Sequence, residues 1–334
     1  MSRAAWWLLG AGALLFIVVL VSHDLPAILA VLALAGWGLI GVTLFHLLPL
    51  VLDAGAIRVL EVGAYRGTLR DAVLVRWIGE SANSLMPAGQ IGGPLLMIRQ
   101  LMQRGTAAAE AIAAITVSTT LQSFAQLVFA LMGVALIGGR AARLPAAASW
   151  SALLLAAAAL ALCPAAFYLV QRRGLFARVA RLAARFAPAR DWSQLQRHAE
   201  GIDSALREAY QRRARVWWSF ALCLLGWIVG TGEVWLILRL LGSTVSWSDA
   251  LLLESLGQAI RAAAFAIPGS LGVQEGGCLL LAPLAGLRPD VALALSLAKR
   301  VRELLLGIPG LIYLHAAERA FRRRELAVRV SGSP

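Results

Sequence analysis

The chain has 334 residues, 60% of them hydrophobic and 15% charged, with a mean hydropathy of +0.75, a balance that excludes a water-soluble domain and points to a polytopic membrane protein. The net charge of +13 is carried by arginine, with Lys299 the sole lysine. Because those arginines cluster between apolar runs, they read as cytoplasmic loop markers rather than a nucleic-acid patch. Cys163, Cys223 and Cys278 lie in apolar segments without metal-ligand spacing, so neither a disulfide frame nor a metal site is expected.

Residues 5–21, after Arg3, form an apolar run longer than a signal-peptide core and without a small-residue cleavage site, so an uncleaved first span is expected. Residues 27–52 are long enough for a second. His46 within it reads as a packing residue rather than a proton relay. Residues 53–72 mix Asp53, Arg58, Glu61, Arg66, Arg70 and Asp71 and are expected as a cytoplasmic loop, on the same side as the N-terminus.

The next element, from Ala72, is broken. Its leading helix carries Arg76, Glu80 and Asn83 at i, i+4 and i+7, on one face. Residues 85–94 then place Pro87, Gly89, Gly92, Gly93 and Pro94 where no continuous helix accommodates them. The helix that follows, with Arg99, is too short to span, which predicts a re-entrant hairpin. A long span to Gly138 carries Gln122 and Gln126 and completes a first repeat, 72–138.

Residues 146–170 form another span. The stretch 171–215 holds eleven arginines and is the strongest cytoplasmic marker in the chain. Its first half, 174–186, alternates apolar residues with Arg178, Arg181 and Arg185 and is expected to lie on the membrane surface against anionic lipid head groups. Residues 216–241 cross again and carry Glu233 and Arg239.

A second broken element opens at Trp247, with Glu254, Gln258 and Arg261 at the spacing of the first polar face, and breaks at Pro268-Gly269-Ser270-Leu271-Gly272. Pro87 and Gly105 are 18 residues apart, and so are Pro268 and Gly286; one offset of 181 superposes both pairs. The last span, 291–315, closes a second repeat, 247–317, and ends in arginines that place the C-terminus inside. An all-α polytopic helical protein follows: about six spanning helices and two re-entrant hairpins in an inverted repeat.

Charged residues inside spans mark function. The offset aligns Glu80 with Arg261, which either pair across a shared axis or find local partners. Lys299, Arg300, Arg302 and Glu303 fall near the centre of the last span; Lys299 and Glu303 are i, i+4 and can neutralise each other, whereas Arg300 needs a carboxylate of its own or a water-filled cavity. Glu275, just after the second break, either caps the short helix or faces Lys299, Arg300 or Arg302. No nucleotide-binding loop, metal-ligand helix or nucleophile elbow is present, so neither an enzyme nor a cofactor is expected.

Asn83-Ser84-Leu85-Met86-Pro87-Ala88-Gly89, with Gly92 and Arg99, and the stretch from Pro268 to Glu275, with the basic residues before Pro309, resemble the lysylphosphatidylglycerol synthase transmembrane region. The wording at 45–49, 76–78 and 80–83 is similar to its hopanoid-biosynthesis-associated branch. The resemblance implies a bacterial inner-membrane lipid transporter or flippase for hopanoids or anionic phospholipids, without aminoacyl transfer, which belongs to a separate soluble domain. The family commonly has an acidic residue where Gly93-Pro94 stands, and charges where Ser118, Thr119 and Thr120 stand. A different reading is a non-transporting scaffold for lipid-biosynthetic enzymes.

Overall fold

The computed structural model describes residues 14, 17–18, 22, 25–61, 67–86, 92–137, 150–186, 193–264, 267 and 270–331. Every regular element among the described residues is helical. In chain order these are α1 (Leu25–Ala35), α2 (Gly38–Phe45), α3 (Leu47–Leu60), α4 (Leu69–Leu85), α5 (Gly92–Gln103), α6 (Ala108–Ile137) and α7 (Trp150–Arg172). They continue with α8 (Leu175–Phe186), α9 (Ser193–Gln211), α10 (Arg213–Leu240), α11 (Trp247–Ala263), α12 (Val273–Leu281) and α13 (Pro289–Ser331).

Three stretches of the described chain are long and apolar enough to cross a membrane: Gly38–Leu60, Ala108–Ile137 and Arg213–Leu240. Large apolar side chains such as Trp37, Trp217 and Trp218 lie on the outer surface, as a lipid-facing wall requires. The span expected at 27–52 is shifted. Helix α1 stops at Ala35, Gly36 takes φ +44°, and the crossing stretch starts at Gly38 and runs beyond Asp53 to Leu60. Most of the expected first span lies outside the described residues.

Both leading helices of the broken elements are 17 residues long and start on the same device. Thr68 and Asp71 form a capping box that opens α4, and Ser246 and Asp249 form one that opens α11. The helices after the breaks are short. Twelve residues of α5 rise about 18 Å and nine of α12 about 14 Å, well below the roughly 30 Å of hydrocarbon. Gly272, at φ 76°, supplies the left-handed turn from which α12 starts.

The packing is reciprocal. Helix α4 packs on α13, the long helix after the short α12, while α11 packs on α6, the long helix after the short α5; α3 and α10 pack along each other between these pairs. Within the arginine-rich stretch the described residues form the helices α8 and α9. Leu206 and Ala209 of α9 bury against Ala113, Ala114, Val117 and Leu121 of α6, so this segment is docked on the bundle.

Candidate functional site

The polar faces of α4 and α11, the start of α5 and the middle of α13 converge with α3, α6 and α10 on one cavity of about 260 Å3. Its wall alternates carboxylates with cations: His46 and Asp53 from the α2–α3 stretch, Arg76 and Glu80 from α4, Glu233 from α10, Glu254 and Arg261 from α11, and Arg302 and Glu303 from α13. Gln122 and Gln126 of α6 and Asn83 of α4 are among its uncharged polar residues.

His46 sits where α2 meets α3. Its Nδ1 lies 2.6 Å from Glu233 Oε2 and its Nε2 2.7 Å from Glu80 Oε1. Arg302 braces both carboxylates, donating from Nε to Glu233 Oε1 at 3.0 Å and from Nη1 to Glu80 Oε1 at 3.4 Å. On the far side of the same α4 face, Arg76 Nη2 reaches Asp53 Oδ2 at 2.7 Å, and Gln122 Nε2 donates to that oxygen at 2.9 Å. The Arg76 Nε–H is buried without a partner.

A second chain of charges runs through the other half. Arg261 Nη1 meets Glu303 Oε1 at 3.0 Å, and Arg300 donates to Glu303 Oε2 at 3.0 Å, Glu275 Oε1 at 3.2 Å and the Ser270 carbonyl at 3.2 Å. Lys299 Nζ lies 2.5 Å from Glu254 Oε2, whose other oxygen accepts from Gln258 Nε2 at 2.8 Å. Glu275 is fully buried; Ser296 Oγ donates to its Oε1, and its Oε2 has no partner. Taking such charges out of water costs several kcal/mol each unless each is paired and hydrogen-bonded; here each has an ion-pair partner, while Arg76 Nε and Glu275 Oε2 are left without a hydrogen bond.

Several sequence expectations land differently. Glu80 and Arg261 do not pair with each other: Glu80 is held by His46 and Arg302, and Arg261 by Glu303. Lys299 goes to Glu254 rather than to Glu303, because α11 brings a carboxylate to it and Glu303 serves two arginines. Arg300 finds Glu275, one of the two arrangements left open for that carboxylate. Asn83 faces the cavity and also accepts the Gly93 N–H at 3.0 Å, which ties the two limbs of the first hairpin across the break.

Gly92 opens α5, while Arg99 lies away from the cavity. Its guanidinium makes paired bonds of 2.7 and 2.6 Å to Glu318, in the C-terminal part of α13. Those bonds and Gln103 hold the Glu318 carboxyl below the usual carboxylate range. Pro87, Gly89, Pro268 and Gly269 lie outside the described residues.

Residues 6–310 match the family model described as the lysylphosphatidylglycerol synthase TM region. The chain belongs to that family. A search of curated proteins finds no match. Membership makes it a membrane protein linked to lipid metabolism, and the charged cavity lies wholly within the matched residues.

His46, which the sequence suggests as a packing residue, and Asp53, Arg76, Glu233 and Glu254 line the cavity without having been singled out as site residues. The signal was present in the charges: Glu233 is a carboxylate in an apolar spanning helix, and such a group demands a cationic partner.

Proposed function

We propose that this protein is a lipid transporter of the bacterial inner membrane. An amphipathic lipid places its polar head in the cavity between the two broken elements and α13, and leaves its apolar body in the bilayer. The observation that carries this reading is a cavity of about 260 Å3 walled by buried ion pairs in a chain whose outer surface is apolar. A volume of that size suits a head group and not a whole lipid. Arg261, Lys299, Arg300 and Arg302 offer donors to the head group's oxygens, and Glu80, Glu275 and Glu303 hold those cations while the site is empty.

In this reading the two broken elements are re-entrant hairpins of an inverted repeat within about six spanning helices, with both termini cytoplasmic. The twin capping boxes, the short helices after each break and the reciprocal packing of α4 on α13 and α11 on α6 support it. Helix α8 exposes Val179 and Leu182 beside Arg178 and Arg181, a pattern suited to anionic head groups at the membrane surface.

The lipid is a hopanoid or an anionic phospholipid, and one experiment separates them. Hopanoids and phospholipids of inner and outer membranes are quantified in cells lacking the protein, and in cells carrying wild type or Arg302→Ala at matched levels. The transport reading expects one lipid class to shift on deletion and Arg302→Ala to reproduce the shift. No shift in any lipid sinks it. A scaffold for biosynthetic enzymes, the competing role, predicts that folded Arg302→Ala behaves as wild type.

A further inference from the structure

The ion pairs of the cavity carry an imbalance. Among the described residues, the carboxylates that line it or pair into its wall are Asp53, Glu80, Glu233, Glu254, Glu275 and Glu303, six in all. The permanently charged cations among the same described residues are Arg76, Arg261, Lys299, Arg300 and Arg302, five in all. With every acid ionised the network is one positive charge short, and an uncompensated buried charge is strongly unfavourable. His46 is the group placed to make up the difference.

The hydrogen bonds say the same independently. A neutral imidazole has one N–H donor and one bare acceptor nitrogen. Here both ring nitrogens lie within 2.7 Å of carboxylate oxygens, Nδ1 against Glu233 and Nε2 against Glu80, and a carboxylate only accepts. Both bonds form when one extra proton resides on the trio, as imidazolium between two carboxylates. The groups that face His46 are Glu80 and Arg76 from α4, Glu233 from α10, Arg302 from α13, and Asp53 one helical stretch along its own span; α6 presents Gln122 and Gln126 to the cavity and no titratable group. His46 itself lines the cavity and is partly exposed to it, so a proton has a route on and off.

We propose that His46, clamped between Glu80 and Glu233, is the proton-binding site through which this cavity is coupled to the transmembrane pH gradient. The proton-binding site follows from the charge balance and hydrogen bonding alone; the coupling rests on the transport reading. Loss of the proton leaves the cavity with one net negative charge and turns one of the two His46 contacts into an acceptor–acceptor clash. The α3–α4–α10–α13 junction is held by these contacts, so protonation state and the geometry of the junction change together.

Two measurements test this. Histidine ring nitrogens are observed by 15N NMR in the purified full-length protein at pH 7.5, with the His46 signals assigned by their absence in His46→Gln. There an ordinary imidazole is ~10% protonated. The expectation is that His46 carries protons on both nitrogens at that pH. In Glu80→Gln the network balances without the extra proton, and His46 is expected to become a neutral ring. A neutral His46 in the wild-type protein overturns the proposal.

The second measurement follows flipping of fluorescent phosphatidylglycerol, and of a fluorescent hopanoid, in proteoliposomes with and without an imposed pH gradient. Wild type is expected to respond to the gradient by several-fold and His46→Gln to lose that response. A protonated His46 with flipping blind to the gradient overturns the coupling and leaves transport standing. No flipping of either probe sinks the transport reading and the coupling with it, while the NMR result still decides the proton site.

Discussion

Lys299 on α13 and Glu254 on α11 meet with 2.5 Å between Nζ and Oε2, both side chains over nine-tenths buried. The pair joins α11, which leads into the second break, to the long helix beyond α12, and Gln258, one turn along α11, holds the remaining Glu254 oxygen. Removing one partner strands a buried charge. Lys299→Met is expected to destabilise the protein by ~3–5 kcal/mol, and the double variant Lys299→Met/Glu254→Leu to recover most of that loss. Thermal melts of the four proteins in one detergent measure the coupling; equal and additive losses would show that the two side chains do not interact.

The close approach of α4 and α5 depends on two glycines of unequal tolerance. A Cβ at Gly93 would run into the Gly79 carbonyl and the Asn83 side chain, whereas a Cβ at Gly79 would meet only the side chain of Met97. Backbone cannot step aside and a methionine can. Gly93→Ala is therefore expected to lower stability by ~1–3 kcal/mol, in the range of overpacked cores, and Gly79→Ala by clearly less. Reversal of that order in melting temperatures would mean that the limbs of the hairpin are not pressed together as described.

Much of this site was legible in the sequence, and what was missed has a physical cause. The i, i+4, i+7 faces of α4 and α11 and the run from Lys299 to Glu303 could be read because helical spacing fixes which side chains share a face. Partner choice could not, since Lys299–Glu254 and His46–Glu233 join residues 45 and 187 apart in the chain. Asp53 was assigned to a loop because a charge usually ends a span, but Arg76 neutralises it and α3 continues to Leu60. In the arginine-rich stretch the apolar positions Ile202, Ala205, Leu206 and Ala209 already carried the helical period by which α9 docks. The weight of the arginines hid it.

Asp203 shows how that docked segment is held. Buried in α9, it accepts the Phe176 and Ala177 N–H groups at 3.2 and 2.8 Å, capping α8 from a different helix. The cap faces Gly174, whose φ of 77° starts the turn into α8. Asp203→Ala is expected to cost ~1–2 kcal/mol, the upper range for a lost cap, and to speed amide exchange in the first turn of α8 while leaving α6 and α10 protected. Hydrogen exchange resolved by peptide checks both parts, and unchanged exchange in α8 would show that the cap carries no stability.

The Arg99–Glu318 contact gives the fold a pH dependence of known sign. Glu318 titrates below the usual carboxylate range because Arg99 and Gln103 hydrogen-bond its ionised form. A carboxyl whose pKa is depressed on folding adds stability above its unfolded value, about 4.3, and loses that contribution as pH falls through the folded value. Since Arg99 is about half exposed, solvent screens the pair and the contribution is no more than about 1 kcal/mol. The melting temperature of wild type should therefore fall more steeply than that of Glu318→Gln as pH drops from 5 to 3, with the two proteins converging at the acid end. Parallel curves would mean that Glu318 is not held in its ionised form, and that the short helix α5 is anchored to α13 by packing rather than by this ion pair.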